Sequence, residues 1–163
     1  MYTLRMPTPL RSLLGDLVAV NHRLTRLAAR ATGSSESPAI WRTLSVLNIG
    51  GPMRLGELAE LSRVAQPTAT KLVANLDARG WVQRVADPAD ARATQTTITD
   101  AGAAALAGWR DELAGAMLPL FADLGADDIA VLQRAVEIIR ERADAAAALA
   151  PGAPVVAPVE AQP

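Results

Sequence analysis

The apolar pattern predicts a mainly α-helical chain with one small β-hairpin, an α+β fold in which long helices at both ends flank a compact middle. Three observations carry this expectation. Apolar residues recur at helical spacing from Leu10 to Leu76, the period falls to two at Trp81, and helical spacing returns after Thr99.

The first helix is expected from Leu10 to Arg30, where Leu10, Leu13, Leu14, Leu17, Val18, Leu24 and Leu27 form one apolar stripe that Gly33 to Ser37 ends. Ser37 followed by Pro38 is an N-cap and first-turn pair, because the serine hydroxyl takes up a free amide and proline lacks the amide that would be orphaned. It opens a second helix through Trp41, Leu44 and Leu47 that stops at Gly50-Gly51-Pro52. Glu57 to Ser62 reads as a short third helix and Pro67 to Arg79 as a fourth, closed by Gly80. The segments 81–85 and 93–98 are short, β-branched and alternating, and the turn-rich stretch 86–92 between them makes a hairpin. Thr99 then starts an alanine-rich helix with Leu106, Trp109, Leu113, Met117, Leu120 and Phe121 on one side, which Pro119 should bend or restart. Asp127 and Asp128 suit the positive N-terminal end of a last helix, whose stripe is Ile129, Leu132, Val136 and Ile139. The proline-rich tail from Pro151 is expected to be disordered.

Composition excludes several function classes. The chain has no cysteine, so disulfide scaffolds, thiolate metal sites and thiol redox sensing are ruled out for its 163 residues. No apolar run reaches the roughly 18 residues of a membrane span, and the N-terminus lacks the continuous apolar stretch of a secretory signal, so a cytoplasmic protein is expected. No nucleophile and base pair, glycine-rich phosphate loop or cofactor motif stands out, so neither an enzyme nor a cofactor is expected. Net charge is −1, but its distribution is uneven: residues 1–50 carry six Arg against Asp16 and Glu36, and residues 99–163 carry four Arg against ten acids. A basic front half suits contact with a polyanion on one face. The arginine excess itself, with Lys71 the only lysine, reads as codon bias rather than as a signal for DNA.

Helices followed by a hairpin in this order describe a winged helix-turn-helix core. Leu58, Ala59 and Leu61 on the third helix, Val64 in the turn, and Ala69, Leu72, Val73 and Leu76 on the fourth fit two helices crossing closely over a small alanine. With those residues inward, the fourth helix turns Gln66, Thr68, Thr70, Lys71 and Asn75 outward, with Pro67 in its first turn. Short hydrogen-bonding side chains plus one cation suit base edges and phosphates in the major groove of duplex DNA. On the hairpin, Arg84 and Arg92 are the basic residues, and Arg92 near the tip suits the narrow, electronegative minor groove, although a solvated loop charge reads the same way. Asp87 and Asp90 are expected to shape the turn, with Asp90 paired to Arg84 or Arg92.

The run GPMRLGELAELSRVAQPTATKLVANLDARGWVQRVADPADARATQTTITDAG, with IWRTLSVL upstream, resembles the multiple antibiotic resistance regulator (MarR) family over residues 10–148. Its most specific part is Asp87-x-x-Asp90-x-Arg92, followed by the helix start Ile98-Thr99-x-x-Gly102; Leu58-Ala59-x-Leu61 and Leu76-x-x-x-Gly80 add to it. The resemblance implies a homodimer, usually a repressor, that binds a pseudo-palindromic operator and in many members releases it when a small aromatic or phenolic ligand binds. Two positions depart from the family pattern. Gly56 stands where a capping Ser or Thr is common at the start of the third helix, and Lys71 where arginine is frequent.

The expected organisation is an extension over 1–9, dimerisation helices over 10–32 and 100–148, a DNA-binding region over 38–99 and a tail over 150–163. The terminal helices lack an obvious partner within the chain, and a second copy is the economical cover, although an intramolecular core reads the same way. Trp41 and Trp109 are candidates for a ligand pocket, with Arg42 or Arg110 as carboxylate anchor and His22 nearby; the same residues fit a packed core. A lone histidine gives no zinc site of the usual kind.

Overall fold

The computed structural model describes residues 8–33 and 36–148. Of the expected extension over 1–9, residues 1–7 lie outside the described residues, as do Ser34, Ser35 and the expected tail over 150–163, while Thr8 and Pro9 belong to α1. The elements are α1 (Thr8–Ala31), α2 (Pro38–Gly50), α3 (Leu55–Leu61), α4 (Gln66–Ala78), β1 (Val82–Asp87), β2 (Asp90–Ile98), α5 (Asp100–Met117), a 3-10 turn over Leu118–Phe121, and α6 (Ala126–Ala148). The mainly helical α+β class and the element order agree with the sequence-based expectation. Among the described residues no helix is long and apolar enough to cross a membrane.

The described residues divide into two compact units, one holding α1 with 107–123 and the other 37–106 with 124–148. In the second unit, α2 packs on α3, α4 and β2, and α4 packs on α3 and β1. The apolar core is drawn from four of these elements: Ile40, Trp41, Leu44 and Leu47 of α2, Leu58 and Ala59 of α3, Ala69, Val73 and Leu76 of α4, and Val82 of β1. Leu44, Leu58 and Leu76 are completely buried. In the first unit, α1 exposes nearly its whole described length, and among its described side chains Ala28 alone is buried. Helix α6 is exposed along its described length.

Local chemistry explains the boundaries. Ser37 caps α2 through its hydroxyl, which accepts the Ala39 N–H at 3.3 Å, and Pro38 follows in the first turn. The end of α4 is a Schellman motif: Gly80 at φ 69° sends its N–H to the Asp77 carbonyl and the Trp81 N–H reaches back to Leu76. Trp81, thus placed, stacks on Trp41 with ring centroids 5.7 Å apart, while the Arg79 guanidinium lies 4.9 Å over its ring. The Thr-x-x-Gly start of α5 has a similar account. The Thr99 hydroxyl donates to the Gly80 carbonyl at 2.6 Å and accepts the Gly102 N–H at 3.1 Å. A Cβ at Gly102 would fall against the Trp81 carbonyl, so the motif needs a glycine for the helix to approach this closely.

Three details differ from the sequence reading. Helix α3 begins at Leu55 with Arg54 as its N-cap, so Gly56 lies inside the first turn and is not the cap. The hairpin strands run further than expected, leaving only Pro88 and Ala89 as the turn, because Asp87 and Asp90 fold the turn-prone stretch into the ladder. Finally, Met53 forms an isolated antiparallel bridge with Thr96, each N–H bonding the other's carbonyl at 3.1 and 2.8 Å. One bridging residue has no alternation to read, so the sequence pattern did not reveal it.

Candidate nucleic-acid interface

The face of α4 opposite the core is built by simple periodicity. Ala69, Val73 and Leu76 recur at intervals of four and three and are buried, so Gln66, Pro67, Thr68, Thr70, Lys71 and Asn75 are all left exposed. Ala65 is the N-cap and offers no side-chain oxygen. Pro67 has no N–H and the Thr68 N–H bonds the Ala65 carbonyl at 2.9 Å, so the Gln66 amide is the one at this helix start that faces solvent or an anion. Thr70 differs from its neighbours in one respect. Its hydroxyl donates to the Gln66 carbonyl at 3.0 Å, so outward it offers lone pairs only. Thr70 also lines a cleft of about 70 Å³ between α4 and the hairpin, with Leu55, Val73, Arg84, Thr94 and Thr96.

Arg84 and Arg92 are exposed on β1 and β2. Strand pairing is regular from Val82↔Ile98 to Ala86↔Thr94 and then shifts to Asp87↔Asp90, so Arg92 sits in the irregular stretch beside the turn. Bulges of this kind re-aim side chains at a sheet's end. The carboxylates hold that stretch in shape by accepting backbone N–H groups: Asp87 from Ala89 at 2.8 Å and Asp90 from Arg92 at 3.0 Å.

The expected pairing of Asp90 with Arg84 or Arg92 is not what forms. The turn's ion pair is Arg54 to Asp87, with Arg54 Nε donating to Asp87 Oδ2 at 2.6 Å. Its carboxylate side chain is 3% exposed while the arginine side chain is 53% exposed, so the pair spans from the interior to the surface. The Arg54 hydrogen bond, helped by the Ala89 N–H, holds the Asp87 carboxyl below its ordinary range, and Asp87 in turn raises Arg54. The sequence reading missed Arg54. The signal that places it is the Met53–Thr96 bridge, which lays the residue before α3 along the hairpin.

Arg63, between α3 and α4, holds a left-handed backbone at φ 53°, a conformation that costs a non-glycine residue of the order of 1 kcal/mol.

The five candidate pocket residues divide between the units. Trp41 is buried beneath Trp81, and Arg42 Nη1 donates to the Ser62 carbonyl at 3.2 Å, both in the unit that holds the winged helix. His22, Trp109 and Arg110 belong to the other, where His22 and Arg110 are exposed and Trp109 is half-buried.

Comparison with known proteins follows the same lines. The MarR family model matches residues 37–93, from the N-cap of α2 into β2. An HTH-type transcriptional regulator of Mycobacterium tuberculosis is 31% identical over 144 residues, covering 87% of this chain and 95% of that protein. Among solved structures, a transcriptional regulator from Thermotoga maritima superposes with a TM-score of 0.64 at 24% identity, covering 85% of this chain and 96% of the other. Wild-type MarR from E. coli gives 0.60 at 24% identity, over 77% and 95% respectively. At that identity the two structures speak for the fold, while the mycobacterial relative and the family match speak for the lineage. A buried-backed polar helix beside a two-stranded wing, with these relatives, makes the chain a member of the MarR family of winged helix-turn-helix, DNA-binding transcriptional regulators.

Proposed function

We propose that the protein acts in the cytoplasm as a homodimeric repressor binding a pseudo-palindromic operator, with α4 in the major groove and the hairpin in the adjacent minor groove of each half-site. The observation that carries this is the exposed side of α4 bearing Gln66, Thr68, Thr70, Lys71 and Asn75, set opposite the buried Ala69, Val73 and Leu76. Gln66, Thr68, Thr70 and Asn75 read base edges, Thr70 as an acceptor only. Lys71, the Gln66 amide at the start of α4 and Arg84 take phosphates, and Arg92 enters the minor groove. Asp87 and Asp90 shape the turn that presents Arg92. Residues 38–99 form the DNA-binding region, and the helices of 10–32 and 100–148 join two copies, a role supported by the apolar side chains that α1 and α6 leave exposed.

Selection of bound duplexes from a random pool tests the reading. Two similar half-sites related by a dyad, one helical turn apart, are expected; no enrichment, or binding insensitive to salt, would instead favour a winged helix that grips another protein. On a selected duplex, Arg92→Ala should weaken binding to all sequences alike and lower the slope of log K against log salt by about 0.9 per protomer. An unchanged slope removes Arg92 from the interface. Response to a small aromatic or phenolic ligand is part of the proposal. It is tested by titrating aromatic carboxylic acids and phenols into the labelled complex, where failure of every one to release DNA would count against it.

A further inference from the structure

The Arg54–Asp87 pair joins two parts of the winged helix that the sequence keeps 33 residues apart, the N-cap of α3 and the turn of the hairpin. We propose that Arg54 is an additional anchor for the DNA backbone and that Asp87 is its positioning residue. The inference rests on the DNA-binding reading above and adds a contact to it.

Three features support the assignment. The arginine uses Nε for the buried carboxylate, which fixes the plane of the guanidinium and leaves the N–H groups of both Nη atoms to a half-exposed surface. A guanidinium oriented by one anion and open on its other edge suits a second, such as a phosphate oxygen, because little rotamer freedom remains to be lost on contact. The second feature is location. A helix in the major groove and a wing in the neighbouring minor groove are separated by one phosphate backbone, and a residue tied to both the helix-turn-helix and the wing turn faces that backbone. Arg54 is so tied, through its own carbonyl, which accepts the Leu58 N–H, and through Asp87. Third, the neighbouring Met53–Thr96 bridge fixes the main chain at this point, so the side chain projects from rigid backbone.

The test uses the full chain, a labelled duplex recovered by the random-pool selection and an unrelated duplex of equal length, each titrated over a salt series, with thermal melts to verify folding. Arg54→Gln should bind both duplexes about tenfold more weakly, with a salt slope smaller by about 0.9 per protomer, and Arg54→Lys should restore the slope. Asp87→Asn makes a sharper test when made in both backgrounds. Acting through Arg54 it weakens binding in the unaltered chain but adds no further loss in Arg54→Gln, whereas loss of turn shape weakens both alike, which would overturn the positioning role. Removal of a negative charge from a DNA-facing surface would by itself tighten binding, whereas loss of the positioning carboxylate weakens it. An Arg54→Gln protein that keeps the unaltered slope, even with reduced affinity, would show a brace for the hairpin and overturn the proposal; tighter binding by Asp87→Asn would overturn the positioning role. Salt-independent or absent binding by the unaltered chain would overturn the DNA-binding reading itself, and this contact with it.

Discussion

Helices α2 and α6 are written with the same apolar periodicity, yet they end in opposite environments. In α2, Ile40, Leu44 and Leu47 are all buried, each covered by elements that follow within 60 residues. In α6, the stripe Ile129, Leu132, Val136 and Ile139 is 42–52% exposed, and α1 shows the same with Leu13, Leu14 and Val18. The difference teaches that periodicity specifies which face of a helix is apolar but not what covers it. A helix whose cover lies close in sequence closes its own core, whereas one whose cover does not leaves its apolar stripe exposed. In the proposed homodimer the second kind of helix is where a partner copy would sit.

Deep in the first region the expected effects are largest. Leu44→Ala removes a completely buried side chain and should destabilise the fold by about 2–5 kcal/mol, read as a lower midpoint in urea at unchanged slope. A loss under roughly 0.5 kcal/mol would mean that the α2 core is far looser than its burial implies. The matching substitution in the second region is Leu132→Asp. On a lone chain, where Leu132 is 46% exposed, it should cost under roughly 0.5 kcal/mol. Beneath a partner it buries an unpaired charge, so light scattering should report a monomer and the melting temperature should cease to rise with protein concentration. A Leu132→Asp protein that stays dimeric would place the interface elsewhere and break the comparison.

Much of this architecture was legible in the sequence because it is local. Ser37-Pro38, Gly80 and Thr99-x-x-Gly102 each announce a boundary through chemistry that acts over two to five residues, and the structure places caps or closures at each. The outward face of α4 was legible for a similar reason, since three buried positions fix the direction of all the others. What sequence pattern could not supply was long-range pairing. Asp90 lies near Arg84 and Arg92 in sequence and looked like their partner, but Arg54, joined to the hairpin by a single bridging residue, took the buried Asp87 instead. Gly56 was misplaced because a cap position shifts by two residues when a helix starts earlier than its first acidic residue suggests. The division of His22, Trp41, Arg42, Trp109 and Arg110 between two units is likewise invisible to residue type, which names chemistry without naming neighbours.

The smallest expected effect concerns pH and again separates the two regions. Asp87 is held below the ordinary carboxylate value of 3.8, first by the Arg54 hydrogen bond and then by the Ala89 N–H. The folded state therefore binds this proton more weakly than the unfolded chain does. Its contribution to stability is complete above the unfolded value and is lost as pH falls through the depressed folded one. The hairpin should accordingly be the acid-sensitive part of the winged helix, losing the Ala89 amide signature in NMR as pH falls through the depressed Asp87 value while α2 signals persist. Asp87→Asn cannot ionise, so its melting temperature should change less with pH over that window than that of the unaltered chain. Superimposable curves for the two proteins would show that the ion pair forms without stabilising the turn, and that the hairpin is held by its ladder and the Met53–Thr96 bridge alone.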